Sequence, residues 1–186
     1  MFLESKKDED GGTCVKARLV AGGDRQRAFV SKDDVGAPTC SLQALFLSAT
    51  IDAMENRDVA TIDIPNAFIQ TDLKEVVHIR MRGPIVQLLV SRDVKRYVPY
   101  VYTNKKGEQV LLVCLNKALY GIMQAALLFH RKVTEELVKH GFIIKQYDPC
   151  VSNKMVEGHQ LTLVWHVDDF KISHVHSKVV DEMICG

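Results

Sequence analysis

The chain has 186 residues, 47% hydrophobic and 25% charged, enough for a buried core in one large domain or two small lobes. Its formal net charge is +1, so no chain-wide basic field points to nucleic acid, and such a partner needs a local groove. The five cysteines Cys14, Cys40, Cys114, Cys150 and Cys185 contain no CxxC and are odd in number, and no apolar run approaches the roughly 20 residues that cross a bilayer, which together predict a soluble chain of a reducing, intracellular compartment with no membrane partner.

Residues 1–12 are polar, end in Gly11-Gly12, and predict a disordered lead-in; three apolar residues before a charge run make no signal peptide. Cys14–Ala21 reads as a strand in which Val15, Ala17 and Leu19 alternate with Lys16 and Arg18. Gly22-Gly23-Asp24 turns it toward a second short strand at Ala28–Val30. This is either a solvated basic hairpin or a finger-like one whose Lys16, Arg18 and Arg25 face a phosphate. After a loop at Ser31–Thr39 the spacing becomes helical: Leu42, Leu45, Phe46, Ala49 and Ala53 form one apolar stripe to about Asn56, capped by Thr39 or Ser41. That stripe predicts a core helix. Val59–Ile64 is a β-prone run carrying Asp63 just before Pro65, which ends regular pairing.

Val76–Met81 predicts a strand closed by Gly83-Pro84, and Ile85–Val90 with Val94 and Tyr97 a short amphipathic helix. Tyr100–Tyr102 and Val110–Leu115 flank a turn at Asn104–Gly107, the pattern of a hairpin. Asn116–Gly141 is the second long helical region, interrupted or preceded by Tyr120-Gly121. Ala126, Phe129, Val133 and Leu137 share its inner face, Glu135 and Lys139 are spaced to pair, and Gly141 stops it. A strand at Val151–Val156 follows, then a turn at Glu157-Gly158, and Ser177 opens a last short helix carrying Val179, Val180, Met183 and Ile184.

The stretch Leu161–Ser173, LTLVWHVDDFKIS, holds two β-prone runs around Asp168 and Asp169. A hairpin there presents both carboxylates at its tip. Adjacent negative charges repel, so folding alone does not favour them, although Asp is common in exposed turns. A hard divalent cation favours them: Mg²⁺ takes one or two carboxylates and completes its shell with water and phosphate. If the Asp63 strand lies beside this hairpin, three carboxylates converge on one sheet edge, suited to two-metal phosphoryl transfer. Asp72 reads as a helix-end or loop acid. His174 and His176 alternate on a strand but lack the third and fourth ligands of a zinc site. The order of elements predicts an α+β fold with an antiparallel sheet.

TIDIPNAFIQTDL, LNKALYGIMQAALLFHRKV and LVWHVDDFKIS, in this order, resemble the core of a copia-type LTR retrotransposon reverse transcriptase, part of a pol polyprotein. CVKARLVAGGDRQ resembles that family's finger segment, and DPCV at 148–151 its DPCLY-like stretch. The resemblance covers residues 13–180. It implies reverse-transcriptase-like fingers and palm over 13–186, an antiparallel palm sheet packed on helices, and a chain truncated before the thumb. The implied reaction is nucleotidyl transfer to a primer 3′-OH on an RNA or DNA template, with deoxynucleoside triphosphates as substrates and Mg²⁺ or Mn²⁺ as cofactor.

By the same resemblance Asp63 and Asp168 hold the metals, and Asp169 shapes or polarises the site. Phe68 lies under the sugar and rejects a ribose 2′-OH. Tyr120 and Gly121 cradle the incoming nucleotide and template base, and Lys16 and Arg18 grip the triphosphate. The chain departs from the family at His166, usually tyrosine, and at Met123, Ala126 and Leu127, usually lysine, proline and arginine. The implied partners include a thumb and an RNase H domain of the parent polyprotein, and the setting is a cytoplasmic particle or the nucleus. The other reading is a non-catalytic remnant, or a co-opted nucleic-acid-binding module with the same fold.

Overall fold

The computed structural model describes residues 2–7, 12–28, 30–31 and 35–185, with the side chains of residues 2–4, 6, 14, 16–18, 24, 25 and 28 outside that description. Strands β1 (Phe2–Lys7) and β2 (Thr13–Arg18) pair antiparallel as a two-stranded sheet. The lead-in expected to be disordered thus supplies a strand. The expected strand at Ala28–Val30 falls partly outside the described residues; of the described ones, Gly23–Ala28 forms a 3₁₀ turn and Val30 lies in a bend. The partner of β2 is instead the segment just before it in the chain, paired from Phe2 opposite Arg18 to Lys7 opposite Thr13.

Helix α1 (Leu42–Met54) starts where Ser41 caps it, the Ser41 hydroxyl accepting from the Ala44 N–H at 3.2 Å. Its buried residues are Ala44, Ser48 and Asp52, whereas Leu42, Leu45, Phe46, Leu47 and Met54 are exposed. The apolar stripe therefore faces away from the core, a correction with a clear cause. The sheet surface that α1 meets is mixed: Ala44 packs on Val151 and Val164, while Ser48 and Asp52 meet Lys171.

That sheet has five antiparallel strands in the order β3 (Asp58–Asp63), β10 (Asp169–His174), β9 (His159–His166), β8 (Val151–Val156), β7 (Ile143–Ile144). Partners across each pair share a face. Ile62 faces Phe170, Phe170 faces Trp165, and Ile172 faces Leu163, so one face is apolar. It packs on Leu137 of α4 (Ala125–Lys139), on Phe142, and on Val179 and Val180 of α5 (Ser177–Cys185), the main core. Each such side chain, fully buried, contributes about 1.5–3 kcal/mol. The opposite face pairs Thr61 with Lys171 and Ser173 with Thr162. Here Lys171 Nζ reaches Asp52 Oδ2 and Ser48 Oγ of α1, and Arg57 donates to Thr162 Oγ1 at 2.8 Å.

Helix α4 begins later than the helical region read from the sequence, because 116–117 complete a strand and Tyr120-Gly121 turns the chain. At its end His140 caps and Gly141 takes φ +82°. Lys139 pairs with Glu136 at 2.8 Å rather than with Glu135.

Residues Asp72–Ala118 form a separate compact unit. Strands β4 (Asp72–Arg82), β6 (Gln109–Lys117) and β5 (Val101–Thr103) make an antiparallel sheet in that spatial order. Between them run α2 (Pro84–Arg92) and α3 (Val94–Tyr97), with Val86 of α2 fully buried. Asp72 opens β4 and pairs with Lys117 at 2.5 Å, so it is a strand-end acid. No described helix is long and apolar enough to cross a membrane.

Candidate active site

β9 and β10 are joined by the two residues Val167 and Asp168. Val167 takes φ +60°, a left-handed conformation that a β-branched residue rarely adopts and that glycine usually fills in such turns. The Asp168 carbonyl accepts from the Ile64 N–H at 3.0 Å, which ties the turn to the end of β3. In this register Asp63 is the backbone partner of Asp169, and Asp169 that of His166. Such partners stand about 4.5–5.5 Å apart at Cα and point the same way. The two carboxylates and the imidazole therefore emerge together, all three exposed, at one end of the polar face. They line a hollow of about 700 Å³, closed on the other side by Leu42 and Leu45 of α1.

Asp168 is next to this trio but is not among the lining residues of the hollow. Its Oδ2 accepts from Tyr120 Oη at 3.1 Å. The Tyr120 ring stands 4.4 Å from that of Phe68, which is buried on the 3₁₀ turn Ala67–Gln70 and edge-on to Phe129 at 6.0 Å. Gly121 takes φ +90°, and a Cβ on it would stand 2.0 Å from the Ala21 carbonyl oxygen. Of the residues singled out in the sequence, Asp63, Asp168, Asp169, Phe68, Tyr120 and Gly121 are thus gathered within the unit of residues 1–71 and 119–186. The backbone of Lys16 and Arg18 runs in β2, and their side chains lie outside the described residues.

The donor chemistry fits a hard cation: carboxylate oxygens, exposed, at a sheet end, where water and phosphate complete a Mg²⁺ shell. The fit is that of a half-built site. Among the described residues no three His, Cys, Asp or Glu side chains are grouped to hold a metal ion. Nor does the histidine cluster supply one. His174 is fully buried, its Nδ1 accepts from the His176 N–H at 3.1 Å, and its Nε2 contacts the Val156 carbonyl at 3.2 Å, so both ring nitrogens are engaged.

Two supports of the site carried little signal in the sequence. Asp148 accepts from the Ser41 N–H at 2.8 Å and the Cys150 N–H at 2.9 Å, anchoring the start of α1 beside the hollow. Gln26 accepts from the Met123 N–H at 3.1 Å and so holds the approach to α4. Lys171 could have been found by alternation, since it lies two residues beyond Asp169 and must share its face.

These elements define an α+β domain of helices and antiparallel sheet with an acidic sheet end. The family described as reverse transcriptase (RNA-dependent DNA polymerase) matches residues 2–184, and the chain belongs to it. Among curated relatives, the Retrovirus-related Pol polyprotein from transposon TNT 1-94 of Nicotiana tabacum is 25% identical over 158 residues, 84% of this chain and 10% of the relative. The Transposon Ty1-MR1 Gag-Pol polyprotein of Saccharomyces cerevisiae is 26% identical over 188 residues, 98% of this chain and 9% of the relative. The Transposon Ty1-LR2 Gag-Pol polyprotein of the same yeast is 28% identical over 170 residues, 91% of this chain and 8% of the relative. This places the chain with the copia-type retrotransposon reverse transcriptases, and it spans about a tenth of the length of these relatives. No solved structure matches.

Proposed function

We propose that this chain is the fingers and palm core of a retrotransposon reverse transcriptase, adding deoxynucleotides to a primer 3′-OH on an RNA or DNA template. The carrying observation is the register that sets Asp63 opposite Asp169, with Asp168 in the turn beside them, in a chain of the reverse transcriptase family. In this reading the five-stranded sheet on α4 and α5 is the palm, and the strand of Lys16 and Arg18 belongs to the fingers. Mg²⁺ or Mn²⁺, held by Asp63 and Asp168, supplies charge neutralisation for the attacking and leaving oxygens. Asp169 adds negative charge beside them. Lys16 and Arg18 hold the triphosphate, Phe68 floors the sugar, and Tyr120 and Gly121 border the base. Catalysis by these residues is positioning and electrostatics. The duplex clamp and RNase H are assigned to other parts of an intracellular Gag-Pol-type polyprotein.

A non-catalytic binding module with the same fold is favoured by one observation. Met123, Ala126 and Leu127 leave the approach to α4 without the lysine and arginine usual in the family. Primer extension on an RNA template separates the two readings. The chain fused to a relative's thumb should extend with Mg²⁺, and Asp168→Asn should abolish extension. A folded fusion that binds primer–template yet never extends refutes the polymerase reading in favour of the module.

A further inference from the structure

Asp168 is reached from outside its hairpin by Tyr120, and several features fix where that hydroxyl stands. The Tyr120 ring rests on the buried ring of Phe68. Its carbonyl accepts from the Ala21 N–H at 2.7 Å, and its neighbour Gly121 is pressed against Ala21. Asp168 is fixed from the other side by the Ile64 N–H and by the left-handed turn at Val167. A carboxylate on a hairpin tip ordinarily swings among rotamers. Here its backbone and one of its oxygens are both held.

We propose that Tyr120 is a positioning residue. Its hydroxyl holds Asp168 Oδ2, which leaves Oδ1 for a divalent cation shared with Asp63. Because the Tyr120 carbonyl is bound by Ala21, the orientation of that carboxylate is also tied to the loop that leaves β2. The inference rests on the polymerase reading of the acidic sheet end. It adds a role for the hydroxyl that neither nucleotide contact nor core packing requires. Phenylalanine would serve equally well for packing on Phe68.

The test uses the full chain and Tyr120→Phe, which keeps the ring and removes the hydroxyl. Mn²⁺ affinity is read by EPR titration, and the tyrosine environment by NMR of ζ-¹³C-tyrosine with Mg²⁺. Asp63→Asn and Asp168→Asn serve as references. We expect Tyr120→Phe to bind Mn²⁺ about three- to tenfold more weakly, the scale of one hydrogen bond to a carboxylate. The Tyr120 resonance, identified by its loss in the variant, should move on Mg²⁺ addition and in Asp168→Asn. Equal or tighter Mn²⁺ binding by a folded Tyr120→Phe overturns the positioning role and leaves the polymerase reading standing. Wild-type binding no better than that of Asp63→Asn and Asp168→Asn overturns the reading, and the positioning role with it. If Tyr120→Phe does not fold, the Tyr120 resonance is assigned as the one that persists when Tyr97, Tyr100, Tyr102 and Tyr147 are replaced singly by phenylalanine, and it decides: movement in Asp168→Asn and with Mg²⁺ supports the role, and its absence refutes it.

Discussion

Gly121 and Ala21 meet so closely that a Cβ on Gly121 would stand 2.0 Å from the Ala21 carbonyl oxygen. The contact is reciprocal, since a Cβ on Gly23 would stand 2.2 Å from the Gly121 carbonyl oxygen. Two chain corners far apart in sequence interlock backbone to backbone. Gly121→Ala therefore forces backbone apart as well as straining φ +90°, and should cost about 3 kcal/mol or more in urea denaturation. Gly158→Ala is the control: it also has positive φ, with nothing within 4 Å, and should cost only about 1 kcal/mol. Equal losses at the two sites would show that the interlock adds nothing.

Lys171 and Asp52 form an ion pair whose side chains are 15% and 8% exposed, with Ser48 as a third partner. Removing one charge strands the other. Lys171→Met should destabilise by about 3–5 kcal/mol, whereas Lys171→Met with Asp52→Leu should recover most of that loss. A double-mutant cycle by chemical denaturation measures the coupling, and additive losses would refute it.

Asp148 is 3% exposed, and burial by itself would raise its pKa. The Ser41 and Cys150 N–H groups, with the Ser41 side chain, outweigh that and hold the carboxyl below its ordinary value. A depressed folded pKa gives stabilisation that is whole above the unfolded value, near 3.8, and is lost as pH falls through the folded one. Asp148→Asn should therefore cost about 1–2 kcal/mol at neutral pH. The gap from wild type should narrow below pH 3.8. A gap independent of pH, measured by urea midpoints, would contradict the account.

Burial, then the nearby Asp148 charge, push the Cys150 thiol up to about 12, while Cys114 and Cys185 are exposed. Thiolate is the reacting form. Maleimide at mildly alkaline pH, followed by peptide mass spectrometry, should label Cys114 and Cys185 quickly and Cys150 only as the chain unfolds. Rapid labelling of Cys150 in the native chain would contradict its placement.

Alternation made the central hairpin legible: Trp165 and Phe170 announce one face, and Asp168 and Asp169 the tip between them. That the strand of Asp63 lies beside this hairpin was a condition the sequence posed and could not decide; the pairing of Asp63 with Asp169 meets it. Three features were not legible. The partner of β2 is a polar strand whose residues look like those of a loop. The orientation of α1 depends on the far face of the sheet, where Lys171 stands beside Val151 and Val164, and no pattern within 42–54 reports on that. The hold of Tyr120 on Asp168 joins residues 48 apart in sequence and exists only once the chain has folded.

The outward turn of α1 reverses the usual ranking of what this helix can tolerate. Phe46, Leu47 and Met54 are exposed and lie outside the lining of the hollow, so polar replacements there should leave the fold intact and improve solubility. Ser48 and Asp52 are hydrophilic by any scale, yet they fix the angle at which the helix sits. Sequence drift in this helix should run freely through Phe46, Leu47 and Met54 and halt at Ser48 and Asp52, so a redesign guided by hydropathy alone would protect the wrong residues.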